Sequence, residues 1–319
     1  MTFNIWNSGR NVVNGTQKIA SHIQLEVEAG ALVEILARLG PPWTGLQHRP
    51  SSSDEGKNDS QVCQPRKAAN DYYPDVAIIT RLALLPDSYH DTGDEHAAMS
   101  LRVLLPIGGR NLALQIWSLH LDWRNYGAYA ACNRLVTQQS QILNGEYFPK
   151  SKDGRGDQME RLVKDALFKR QIQAADSEPL LVLGDFNSPS HLDWTPAARS
   201  RHCGWSIAWP ATKLLESSGL KDAFRRLHPD PLANPGHTWS PGVHIHFDSI
   251  AQSTWQYSIP EPRDRIDLIH YAGKRLHPIS AQVYAGSKPL RPIPDHAHND
   301  WPSDHASVLL DFALDTADL

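Results

Sequence analysis

Four short stretches of the chain carry side chains that could do chemistry together. In Leu180-Leu181-Val182-Leu183-Gly184-Asp185-Phe186-Asn187 an apolar run ends at a glycine. Side chains two apart on extended chain face the same way, so Asp185 and Asn187 project together from the end of a strand. A carboxylate placed there can orient water, and an amide can hold a phosphate oxygen. Ile116-Trp117-Ser118-Leu119-His120-Leu121-Asp122 repeats the pattern with an imidazole and an acid. Ser303-Asp304-His305 precedes the apolar run Ala306–Phe312, and Arg265-Ile266-Asp267 opens another. An acid beside a histidine, with a second acid to fix the imidazole tautomer, is what general acid–base or charge-stabilising work requires. Each fragment alone has a plainer reading: an Asx turn closing a strand, a hydrogen-bonded structural histidine, a surface loop.

Taken together, Asn4, His120, Asp185, Asn187, Asp267, Asp304 and His305 supply oxygen donors and imidazoles without a thiolate. That set suits a hard cation such as Mg²⁺ or Mn²⁺ better than a structural zinc.

These residues need strands to deliver them. Runs of strand length at Thr2–Trp6, Asp75–Thr80, Leu101–Leu105, Leu112–Leu119, Leu180–Leu183, Arg265–Tyr271, Ala281–Ala285 and Ala306–Phe312 mix apolar and β-branched residues. Gly108-Gly109-Arg110-Asn111 has hairpin-turn chemistry between two of them. Helical spacing predicts helices around Ala29–Leu39, Tyr129–Leu143 and Met159–Ile172. Strands and helices interleave while the strands look hairpin-linked, so the expected class is α+β rather than a doubly wound parallel sheet. The polar, aperiodic stretch 47–70 reads as a flexible loop, and the absence of a convincing linker gives a single domain over 1–319.

Composition narrows the function. The chain has 319 residues, 40% hydrophobic and 21% charged, with a formal charge of −4. That is a globular balance without the basic face that bulk binding of long DNA draws on. Cys63, Cys132 and Cys203 are far apart, form no CxxC pair and leave one thiol over, so they read as ordinary buried thiols. No apolar run is long enough to span a bilayer and no signal segment is visible, so the expectation is a cytoplasmic monomer without stable membrane insertion. Strand-like sequence directly after Met1 allows for a missing upstream segment.

The ordered set Thr2-Phe3-Asn4-Ile5-Trp6, Asp75–Arg81, His120-Leu121-Asp122-Trp123, Gly184-Asp185-Phe186-Asn187, Arg265–Ile269 and Ser303-Asp304-His305 resembles the endonuclease/exonuclease/phosphatase superfamily, which includes DNase I-like nucleases. The resemblance implies a four-layer α/β/β/α sandwich of two mostly antiparallel sheets, with the site at one end of the strands. It implies that Asn4 and Asp304 help hold metal and that Asp185 orients or deprotonates water. Asn187 and His120 would bind phosphate, and His305 paired with Asp267 would stabilise the scissile phosphate. The implied substrate is a phosphomono- or phosphodiester, with nucleic acid, inositol phosphates and phospholipids among the candidates. The family's metal-binding Glu closes a strand; the nearest match here is Gln24-Leu25-Glu26-Val27-Glu28, where Glu26 is the chosen ligand and Glu28 the next. The segment up to His22 is short for the helix and strand that should precede that glutamate. A catalytically weak member kept as a binding or scaffold module is therefore the alternative. Trp123, Tyr126 and Trp194 are candidates for a substrate wall that stacks on a base or sugar, the plainer reading being that they pack loops.

Overall fold

The computed structural model describes residues 1–26, 29–30, 42–47, 76–92, 98–241, 245–247 and 258–316. Its strands are β1 (Ala29–Gly30), β2 (Thr44–Gln47), β3 (Ala77–Thr80), β4 (Ala83–Leu84), β5 (His90–Asp91), β6 (Ala98–Ile107), β7 (Arg110–His120) and β8 (Leu180–Asp185). They continue as β9 (Lys221–Asp222), β10 (Ile245–Phe247), β11 (Ser258–Pro260), β12 (Asp267–Ala272), β13 (Leu276–Tyr284) and β14 (Ser307–Leu314). The helices are α1 (Gly15–Glu26), α2 (Gly127–Cys132), α3 (Gln139–Leu143), α4 (Arg155–Lys164), α5 (Ala166–Ala174), α6 (Pro210–Ser217) and α7 (Ala223–Leu227).

The largest sheet has the order β4-β6-β7-β8-β12-β9, with β5 also on β6. Its pairs are antiparallel, except that β7 and β8 run parallel, which brings His120 level with Asp185. The β6–β7 hairpin turns through Gly108 and Gly109, both at positive φ (54° and 80°). Two successive left-handed positions are what a tight hairpin of this twist demands, and glycine takes them without a Cβ penalty.

Alternation along each strand divides the core. Leu180 and Val182 of β8, with Trp117, Leu119 and Leu268, face Met159, Leu162, Phe168, Ala211 and Leu215 of α4, α5 and α6. Leu181 and Leu183 face the other way, in step with the Met99, Leu101, Val103, Leu114 and Ile116 side chains that meet Val76, Ile78, Leu276, Leu310 and Phe312. Beyond that second layer, which carries β3, β13 and β14, Ile19, Ala20 and Ile23 of α1 pack with Phe3, Ile79 and Trp301. The result is the expected four-layer α+β sandwich, helix on sheet on sheet on helices. Trp117 is fully buried and donates its indole N–H to Gln171 Oε1 at 2.5 Å; truncating such a core aromatic costs about 3–5 kcal/mol.

Several local expectations give way to tertiary constraints. Thr2–Trp6 meets β14 at the isolated Thr2–Val308 bridge, and Trp6 and Asn7 then turn left-handed. Ala29–Gly30 pairs with β3 instead of starting a helix; residues 31–39 lie outside the described residues. The predicted helix at 129–143 is two short ones, with Cys132, Val136 and Leu143 still packed on the same cluster. The one at 159–172 breaks at Asp165, whose carboxylate accepts from the Phe168 amide and caps α5. Gln47, placed with the loop at 47–70, ends β2, and residues 48–70 lie outside the described residues.

The expectation of free thiols is overturned for Cys132 and Cys203, while Cys63 lies outside the described residues. Cys132 and Cys203 form a disulfide with an S–S distance of 2.06 Å, tying α2 to the 199–204 turns. Spacing 71 residues apart in sequence concealed this, because pairing depends on Cα approach, here 5.1 Å. Among the described residues no helix is long and apolar enough to cross a membrane.

Candidate active site

Strand ends and two bends gather the polar residues at one edge of the sandwich. β8 ends at Asp185 after Gly184, whose φ is 149° and where a Cβ would lie 1.9 Å from the Leu119 carbonyl. A side chain at 184 would push β7 and β8 apart, so the glycine permits the pairing that sets His120 beside Asp185. His120 Nε2 is 3.5 Å from Asp185 Oδ2. Asp185 Oδ1 accepts from the Asn187 amide at 2.8 Å, an Asx turn that holds Asn187 left-handed with φ 44°. The Asn187 carboxamide donates to the Leu121 carbonyl at 2.9 Å, which uses one of its two N–H donors.

Asn4 arrives from the N-terminal bend, its oxygen accepting from the Trp6 amide at 3.1 Å. Its Nδ2 donates to Asp185 Oδ2 at 2.7 Å and lies 3.4 Å from His305 Nε2. His305 Nδ1 sits 2.8 Å from Asp267 Oδ2, and its Nε2 is 3.7 Å from Asp185 Oδ2. Burial opposes charge on this imidazole, but Asp267 and Asp185 outweigh it and raise its pKa to about 10. That shift favours the imidazolium, in which both ring nitrogens are donors. Burial pushes the Asp304 carboxyl up to about 7, against the pull of His305.

Donor atoms of Asp185, Asp267 and His305 lie within 4.8 Å of one another. Their spacing could hold a metal ion, and His305 Nδ1 on Asp267 also makes the trio an acid–histidine–acid relay. Further donors for a metal are Asn4 and the carboxylate oxygens Asp304 Oδ1 and Asp267 Oδ1, both buried without a hydrogen-bond partner. Buried carboxylate oxygens are costly unless satisfied. The residues present thus fit a hard divalent cation. Glu26 is the last residue of α1, so Gln24–Glu26 sits in a helix rather than at a strand end; Glu28 lies outside the described residues.

The aromatic candidates separate. Trp123, three residues after His120, is 64% exposed. Tyr126 is half-buried and donates to Asp264 Oδ2 at 2.7 Å. Trp194 is 1% exposed, donates to Asp264 Oδ1 at 2.8 Å and stacks on His202; it packs loops and offers no face to a ligand.

Sequence reading missed the supports. Thr238 Oγ1 accepts from the Ile266 and Asp267 amides at 3.0 Å each, and the Trp239 ring lies over His305 at 4.6 Å. Arg265 forks onto Asp193 and Asp222, with Arg225 also on Asp193. Arg155, fully buried, pairs with Glu146 and donates to the carbonyls of Asp122, Arg124, Asn125 and Gly145, holding the loop that follows His120. Aperiodic polar loops carry no sequence signal for such partners.

A four-layer sandwich with a carboxylate, amide and imidazole cluster at one strand edge defines a class, and comparison with known proteins agrees. The Endonuclease/Exonuclease/phosphatase family profile matches residues 1–305. The chain is 37% identical over 323 residues to uncharacterized protein F14F9.5 of Caenorhabditis elegans, covering 98% of this chain and 90% of that one. The chain belongs to the endonuclease/exonuclease/phosphatase family. Among solved structures, the 3′-5′ exonuclease NExo from Neisseria meningitidis superposes with a TM-score of 0.52 at 16% identity, covering 98% of each chain. D. rerio TDP2 complexed with single strand DNA product gives 0.50 at 14%, covering 98% of this chain and 96% of that one. The human Nocturnin catalytic domain with bound sulfate gives 0.50 at 16%, covering 94% and 86%. At these identities the likeness is one of fold, DNase I-like.

Proposed function

We propose that this phosphoesterase-family chain acts as a divalent-metal-dependent hydrolase of a phosphomono- or phosphodiester, with Mg²⁺ or Mn²⁺ as cofactor. The observation that carries the reading is the interlocked set Asn4–Asp185–His305–Asp267, drawn from both ends and the middle of the chain. Asn4, Asp185 and Asp304 would hold the cation, with Glu26 as a further ligand. When bound, it would supply Lewis-acid polarisation and charge stabilisation at the phosphate.

Asp185 orients the attacking water and takes its proton. His305, kept protonated by Asp267 and Asp185, faces the phosphate with Nε2–H and stabilises the charge that grows on its oxygens. Asn187, through the second N–H of its carboxamide, and His120 complete the phosphate pocket. Trp123 forms an exposed wall on which a flat portion of the substrate stacks, with Tyr126 behind it. D. rerio TDP2 has been solved with a single strand DNA product and Neisseria NExo with a product DNA hairpin, so nucleic acid stands among the substrates to test, beside small phosphoesters.

The test is hydrolysis of bis(p-nitrophenyl) phosphate, oligonucleotides, inositol phosphates and phospholipids with Mg²⁺ and Mn²⁺ in turn. Metal-dependent turnover abolished by Asp185→Ala supports the reading; turnover unaffected by that change sinks it. The placement of Gln24–Glu26 in α1 favours a second reading, a scaffold with a weakened metal site. Calorimetry that detects no Mg²⁺ or Mn²⁺ binding selects the scaffold.

A further inference from the structure

The tripeptide Thr238-Trp239-Ser240 is stitched to both segments that carry the histidine–acid pair. The Thr238 and Trp239 amides donate to the Asp264 carbonyl, and the Asp264 amide returns to Trp239, at 3.0 Å each. On the other side Ala306 N–H donates to the Thr238 carbonyl and Ser240 Oγ to the Asp304 carbonyl, at 2.8 Å each. Asp267 and His305 thus take their register from one strap.

The strap's side chain is held from outside. Trp239 leans on the His305 ring, with the two planes inclined by 55°. Its indole N–H donates to Glu261 Oε1, and the Tyr129 hydroxyl from α2 donates to the same oxygen. Glu261 is buried. Burial and the neighbouring Glu261 raise the Tyr129 pKa, so the hydroxyl stays a donor. An indole fixed at its far end cannot swing away from the imidazole, and a fixed imidazole keeps Nε2 aimed at the phosphate position.

We propose that Glu261 is a positioning residue, which through Trp239 sets the orientation of His305 against Asp267. The inference rests on His305 being the group that meets the phosphate, yet its geometry can be read without turnover. One oxygen takes both hydrogen bonds, so an amide should replace the carboxylate. The predicted order is therefore Glu261→Gln near wild type and Glu261→Ala impaired.

The experiment uses the full chain labelled with ¹⁵N-histidine. Wild type and Glu261→Gln are expected to show the low-field His305 Nδ1–H proton, identified by its absence in His305→Gln, and Glu261→Ala to lose or broaden it. With bis(p-nitrophenyl) phosphate, kcat in Glu261→Ala should fall about ten- to a hundredfold at little-changed KM, the scale of a small misplacement of a reacting group. An unaltered proton signal in Glu261→Ala overturns the proposal, as does equal impairment of the Gln and Ala variants. Wild type lacking all phosphoesterase activity would defeat the functional reading alone, because the proton signal still decides the positioning. Should Glu261→Ala not fold, Tyr129→Phe removes a single donor and should broaden the same signal, and an unchanged signal there counts against the strap.

Discussion

Asn4 and His305 are 301 residues apart in the chain, yet the Asn4 carboxamide nitrogen lies 3.4 Å from the His305 ring. Ser303 Oγ donates to the Asn4 carbonyl and accepts from the His305 amide, so the two chain ends are joined through one serine hydroxyl. The site is an assembly product of the whole sandwich, and its variants should separate chemistry from folding accordingly.

His305→Ala should lower turnover by about 10²–10⁴-fold, the share usual for a positioned proton-bearing group. Because the change strands the buried Asp267 carboxylate, the melting point should fall as well. His305→Gln, which can keep a hydrogen bond to Asp267, should recover stability without recovering the rate; recovery of both would mark His305 as structural.

Removing metal should act on rate and stability at once. A chelator is expected to abolish turnover and lower the melting point, and Mg²⁺ or Mn²⁺ at about a hundred times its Kd should return roughly 2.7 kcal/mol by mass action. Asp304→Asn, which alters a buried oxygen without a hydrogen-bond partner, should shrink the metal-induced shift. A shift identical to wild type in that variant would exclude Asp304 from the metal site.

Acid should unfold the protein through a pair away from the chemistry. Burial alone would raise the Asp222 pKa, but Arg265 and His270 hold it well below the usual carboxylate range. A carboxylate with a depressed folded pKa contributes its stability above the unfolded value, near 4, and loses it as pH falls further. Wild type should therefore weaken below about pH 4. Asp222→Asn, by stranding the buried Arg265 charge, should cost about 3–5 kcal/mol at neutral pH and flatten the acid limb. Urea unfolding at pH 7 and pH 3 checks both.

Trp123→Ala should raise KM for aromatic or nucleotide substrates about five- to tenfold while sparing kcat, as expected for losing one stacked ring worth about 1–3 kcal/mol at most. Equal KM values for the two proteins would return Trp123 to the bare surface.

The parts of the site that announced themselves share one physical origin. Asp185, His120 and Asp267 sit at the ends of apolar strands, where period-two alternation and a terminating polar residue are visible in one short window. The α+β class also showed, in hairpin-linked strands interleaved with helices, whereas the four-layer order came only with the family resemblance. Thr238, Trp239, Glu261 and Arg155 left no such trace, because what defines them is a partner tens of residues distant in an aperiodic loop. Asp165 broke a predicted helix for a local reason, its side chain satisfying the first amides of α5 better than continued helix would. Trp194 read as a ligand wall because an aromatic in a polar loop looks exposed until its Asp264 partner is known.

The bond between Cys132 and Cys203 closes a loop of about 71 residues, and cross-links of that span stabilise folded chains by roughly 2–4 kcal/mol. Tyr129 stands one turn before Cys132 on α2. Preparations kept in dithiothreitol and preparations kept without it are then two covalent species, and kinetic constants gathered from them should not be pooled.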